Sequence, residues 1–96
     1  MLKFVKIGQQ TPPKRKVDTR KEDFREIYDE FITKRAEEQS SRCSQCGVPF
    51  CQVHCPLSNN IPDWLKLTAE GRLKEAYELA QSTNNMPEVC GRICPQ

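Results

Sequence analysis

Cys43-Ser-Gln-Cys46-Gly-Val-Pro-Phe-Cys51-Gln-Val-His-Cys55-Pro56 gathers four thiols within thirteen residues, in the spacing C-x2-C-x4-C-x3-C-P. Ordinary core packing gives no reason for that density. A second group, Cys90-Gly-Arg-Ile-Cys94-Pro95, repeats the ending in which a cysteine is followed at once by proline, and all six cysteines fall in the two groups. Gly47 and Pro49 suit a chain that wraps round a ligand with backbone N–H groups turned toward sulfur. The stretch therefore reads as an irregular loop built to hold something soft and positive.

Thiolates bind iron, offset the charge of a cluster, and cost less to assemble when they are close in sequence. The first run is close to the bacterial ferredoxin pattern with its middle gap widened by two. A cysteine before proline ligates the other cluster in two-cluster ferredoxins, so Cys55 need not share a cluster with Cys43, Cys46 and Cys51. Zinc is the competing ligand, held by Cys43, Cys46 and Cys51 with His54 or Cys55, and would make the chain a structural or RNA-binding module. Against zinc, the single histidine stands one residue before the last cysteine of the run, and no basic and aromatic residues interleave around the loop. His54 reads as a hydrogen-bond donor near a cluster or an exposed side chain. Nucleophilic catalysis is set aside, because no third group orients the Cys-His pair. Neither a G-x-G-x-x-G nor a G-x-x-x-x-G-K phosphate motif occurs.

With 96 residues, 36% of them hydrophobic and 29% charged, the chain makes at most one small domain whose order leans on a cofactor or a partner. A formal charge of +2 is too small to argue for nucleic acid. No secretory apolar core and no run of about twenty apolar residues is present, so neither export nor a membrane is expected. The expected place is a reducing cytoplasm, where cysteines serve metal or redox chemistry rather than disulfides.

Outward from the cysteine loop, the pattern predicts an all-α, irregular helical domain over residues 19–96, preceded by an extended basic arm over 1–18. The arm carries Lys3, Lys6, Lys14, Arg15, Lys16 and the pair Pro12-Pro13, and reads as a solvated tail in preference to a docking strand. A capping box of Thr19 and Glu22 predicts a first helix that puts Phe24, Ile27, Tyr28 and Phe31 on one core or interface face. A polar helical segment from Thr33 to Ser41 then delivers Arg42 and Cys43. Pro62 fits the first turn of a helix that carries Trp64 as a packing residue and stops at Gly71, and Arg72 to Ser82 forms the next helix. Met86-Pro87-Glu88 starts a last turn that leads into the second cysteine pair. A structural module docking a partner through these helical stripes is the second reading of the chain.

The run Arg42-Cys43-x2-Cys46-Gly47-x-Pro49-Phe50-Cys51-x3-Cys55-Pro56-Leu57, then Asn60-Ile61-Pro62-x-Trp64, then Thr83-Asn84-Asn85-x-Pro87-Glu88-x-Cys90-Gly91-Arg92-x-Cys94-Pro95 resembles the N-terminal iron–sulfur domain of the small (beta) subunit of NADPH-dependent glutamate synthase. The N-terminal domain of dihydropyrimidine dehydrogenase is similar. The resemblance covers residues 19–96 and implies an alpha-helical ferredoxin-like domain with two 4Fe-4S clusters, set before FAD- and NADPH-binding domains. It implies electron relay from NADPH through FAD toward a glutamate-forming large (alpha) subunit. Cys43, Cys46 and Cys51 would ligate one cluster, and Cys55 and Cys94 the other, while Cys90 matches a position that is not a ligand. The family pattern continues with two further cysteines and both nucleotide-binding domains, all beyond Gln96. On this expectation the chain is a truncated domain, not catalytic alone, whose cluster sites are incomplete and are empty, filled by a non-native cluster or occupied by zinc.

Overall fold

The computed structural model describes residues 1–95; Gln96, the last residue of the expected domain, lies outside them. Within the described residues six helices follow one another: α1 (Val17–Lys21), α2 (Thr33–Ser40), α3 (Phe50–Val53), α4 (Ile61–Ala69), α5 (Leu73–Gln81) and α6 (Pro87–Ile93), after a 3-10 turn at Lys3–Val5. Among the described residues there is no strand, only an isolated antiparallel bridge between Lys14 and Tyr28. The all-α expectation therefore holds.

Helix α4 is the centre of the packing. It lies against α5 and α2 and also touches α3. Ile61 and Pro62 open it with Pro62 in the first turn and Asp63 beside it, where neither the missing proline N–H nor the negative charge is a cost. Its end is a Schellman motif. Arg72 N–H donates to the Leu67 carbonyl (2.9 Å) and Gly71 N–H to that of Thr68 (3.0 Å), with Gly71 at φ +75°. That reversal folds α5 back onto α4 as a helical hairpin. Gly71→Ala would force an L side chain into the left-handed region with its Cβ 3.4 Å from Glu37 Oε1. The expected outcome is a loss of about 1–2 kcal/mol in urea unfolding followed by circular dichroism, with the helical signal retained before the transition.

The core is thin. Among the described residues Ala76, on α5, is the only buried residue of the hydrophobic set, at 6% exposure, and it is accompanied by Pro62 and by the polar Ser40, Ser41 and Asn59. Much apolar surface stays outside, including Phe24, Val48, Phe50, Val53 and Ile93. Such a small buried interior leaves little stability of its own, in line with a fold completed by a cofactor or neighbouring protein.

Two local expectations are corrected. The Thr19–Glu22 capping box does not start a helix: Thr19 lies inside α1 and Glu22 caps its end, so Phe24, Ile27, Tyr28 and Phe31 do not share a helical face. The reason is a competing set of bonds to the arm. Arg15 grips the Asp23 carboxylate through both terminal nitrogens (3.1 and 2.7 Å), its N–H donates to the Ile27 carbonyl (2.9 Å), and Asp29 N–H donates to the Pro13 carbonyl (2.8 Å). Backbone groups that a helix would need are thereby used across the chain, and Phe24 is left fully exposed. The cysteine loop, expected to lack regular structure, contains the single turn α3.

The arm is tied down at its first residues. Leu2 N–H donates to the Cys43 carbonyl (2.9 Å) and Lys3 N–H to that of Ser41 (3.1 Å), while Arg42 Nε donates to the Ile7 carbonyl (3.0 Å). Gln39 completes the clasp, donating to the Gly8 carbonyl (3.2 Å) and accepting from Gln10 N–H (3.0 Å).

Candidate metal centre

Four elements present the six thiols, none of them in a disulfide. Cys43 follows α2, held by its N–H to the Ser40 carbonyl (3.1 Å), and is partly buried. Cys46 lies exposed in the loop, Cys51 sits on α3 and Cys55 just after it, the last two partly buried. Cys90 lies within α6 and Cys94 caps its C-terminus, exposed, with its N–H on the Cys90 carbonyl (2.9 Å). Among the described residues no three His, Cys, Asp or Glu side chains converge on a point that would hold a single metal ion.

Two of these sulfurs have N–H donors close by. Cys43 Sγ accepts from Gln45 N–H (3.5 Å) and from Gln45 Nε2 (3.3 Å). Around Cys55 the chain turns sharply, with Pro56 at the second position and Ser58 N–H donating to the Cys55 carbonyl (2.9 Å). Backbone N–H groups, led by Asn59 and then Leu57, with Ser58 last, hold the Cys55 thiol below the usual thiol range, opposed by its partial burial. At Cys55 these donors favour the charged thiolate, which is the form that ligates metal. The donor set, soft sulfur with N–H groups directed at it, fits an iron–sulfur cluster, for which Cys43, Cys46, Cys51, Cys55 and Cys94 are the candidate ligands.

Asn59 holds the floor of the site. Buried at 8% exposure, it donates through Nδ2 to the Ala80 carbonyl (2.7 Å) and Thr83 Oγ1 (3.1 Å) and accepts from Trp64 Nε1 (2.9 Å). The indole of Trp64, half-buried on α4, thus has its polar edge satisfied. On the other side Arg92, between the second cysteines, pairs with Glu26 through both terminal nitrogens, one at 3.0 Å. That guanidinium holds the Glu26 carboxyl below the ordinary carboxylate range, and the N–H groups of Tyr28 and Ile27 add to the effect. His54 is exposed and stacks on Phe50, ring centroids 5.5 Å apart.

Gln45 and Asn59 are absent from the candidates read off the sequence, and so is the Arg15–Asp23 clamp. A polar residue inside C-x2-C carries no motif, and Ser58-Asn59-Asn60 signals a turn without saying that its middle side chain is buried.

A helical domain without strands among its described residues, with thiols on short helices and the loops beside them and N–H groups around sulfur, fits the class of small helical metal-cluster holders. The chain matches, over residues 20–96, the family described as dihydropyrimidine dehydrogenase domain II, 4Fe-4S cluster, and it belongs to that family. It is similar to the glutamate synthase [NADPH] small chain of Azospirillum brasilense, 69% identical over 96 residues that cover all of this chain and 20% of that protein. The small chain from Escherichia coli is 49% identical with the same coverage, and that of Bacillus subtilis 40% identical over 96% of this chain and 20% of its own length. The chain thus spans about a fifth of the length of these relatives. Among the described residues no helix is long and apolar enough to cross a membrane.

Proposed function

We propose that the chain is the electron-transfer iron–sulfur domain of a flavin-dependent NADPH oxidoreductase of the glutamate synthase small-subunit type. Its parent would pass electrons from NADPH and FAD, bound in domains downstream, to a glutamate-forming large subunit in the cytoplasm. The observation that carries the reading is the cysteine loop itself, whose Cys43 and Cys55 sulfurs face several N–H donors. When bound, 4Fe-4S clusters supply one-electron carriers whose potential depends on hydrogen bonds to sulfur and on exposure. Cys43, Cys46 and Cys51 would ligate one cluster, and Cys55 and Cys94 the other, with Cys90 outside both sets. The helices hold these residues in place. Residues 1–18 act as a strap on the domain of residues 19–96, through the bond from Leu2 N–H to the Cys43 carbonyl.

The test is iron and acid-labile sulfide content after anaerobic reconstitution, in a polypeptide of the relatives' full length and in the 96-residue chain. The full-length protein is expected to be brown, with about eight irons per chain in this domain when both clusters form. Stoichiometric zinc with neither iron nor sulfide would end the proposal.

A further inference from the structure

Gln45 lies in the short stretch between the first two cysteines, and its backbone and side chain are both committed. At φ 51° it occupies the left-handed region, which disfavours an L residue that is not glycine. In that conformation its N–H and its side-chain Nε2 both approach Cys43 Sγ, at 3.5 and 3.3 Å. The same Nε2 donates to the Pro62 carbonyl at 2.7 Å, in the first turn of α4. A carboxamide nitrogen has two hydrogens, so both bonds are satisfied at once. Since a carbonyl oxygen only accepts, the contact with Pro62 also fixes which end of the amide faces the sulfur.

We propose that Gln45 is a positioning residue for the Cys43 ligand: it bridges that sulfur to helix α4 and raises the reduction potential of the cluster that Cys43 holds. The inference rests on the proposed reading of Cys43 as a ligand. A hydrogen bond to a ligand sulfur draws negative charge from it and stabilises the reduced, more negative state more than the oxidised one. Pro62 is buried and α4 lies against both α5 and α2, so the donor is anchored to the packed centre of the domain. The left-handed backbone at residue 45 is the conformation in which these contacts are made.

The test is an anaerobic redox titration of the iron-loaded, full-length protein followed by electron paramagnetic resonance, for wild type, Gln45→Leu and Gln45→Gly. Leucine keeps the bulk and removes the side-chain donor; glycine removes the side-chain donor and the backbone penalty together, and both keep the backbone N–H. Both are expected to make reduction of the Cys43 cluster about tenfold less favourable, which is about 59 mV for one electron. The cluster assigned to Cys55 and Cys94 should keep its potential as an internal reference. Gln45→Lys, which restores an N–H donor, is expected not to show the drop. Should Leu fail to take up iron, the Gly variant decides. An unchanged potential in the glycine variant, at wild-type iron content, overturns the assignment whatever Leu does. A wild-type protein without iron or sulfide removes the ligand reading, and the role of Gln45 falls with it; iron content therefore separates the two failures.

Discussion

Cys51→Ser in the full-length, reconstituted protein is expected to lose one complete cluster, about four irons and four sulfides per chain, and with it the corresponding signal on reduction. The hydroxyl is nearly isosteric but is a hard donor that stays protonated near neutral pH, so it neither matches iron's preference for sulfur nor offsets the cluster's charge. Cys51 sits on the single turn α3, partly buried. Serine is tolerated in such a turn, so the change removes a ligand without removing the element that carries it. Because a cofactor that binds only the folded state stabilises it, the loss should also lower the unfolding temperature, more so in a domain whose described residues bury so little apolar surface. Cys90→Ser is the matched control and should retain all its iron. Full iron in Cys51→Ser, or its loss in Cys90→Ser alone, would reverse the ligand assignment.

What could be read from the residues alone follows how local each signal was. The boundaries of α4 and α5 and the start of α6 were legible because Pro62, Gly71, Asn84-Asn85 and Pro87 impose backbone choices whatever surrounds them, whereas α6 runs on through Cys90 to Ile93, past the single turn expected there. The stretch from Thr19 to Phe31 was misread because its apolar spacing suits a helix, whereas the winning interactions come from Arg15 and Pro13, earlier in the chain. No period in a sequence reports a bidentate ion pair formed across a loop. The same limit applies at the site. Six cysteines announce themselves, but the side chains that support them, Gln45 and Asn59, are ordinary polar residues until their partners are seen. Cysteine spacing names the chemistry, while the side chains expected to support it, Gln45 in the cysteine loop and Asn59 in the turn after Cys55, are held by partners on α4 and at the end of α5.

Asn59→Ala is expected to destabilise the domain by about 2–4 kcal/mol. The amide joins three places: the Ala80 carbonyl at the end of α5, Thr83 beyond it, and the Trp64 indole on α4. Alanine leaves Trp64 Nε1 and the Ala80 carbonyl without their partners in a partly closed interior. Each such orphan costs about 1–3 kcal/mol, and the two are close enough that their costs need not add fully. Water entering the gap would recover part of this, which sets the lower end of the range. Asn59→Asp separates the donors from the acceptor: it still accepts from Trp64 but sets a carboxylate against the Ala80 carbonyl, so it should be at least as damaging at neutral pH and recover in part as acid protonates the new group. Urea unfolding of the metal-free chain at two pH values checks both variants. Since the Asn59 N–H leads the groups that hold the Cys55 thiol low, a loosened turn should also slow Cys55 alkylation near neutral pH, where only the thiolate reacts. A variant as stable as wild type with unaltered Cys55 reactivity would mean that the turn is held by Pro56 and the Ser58 bond alone, and that the buried amide only fills space.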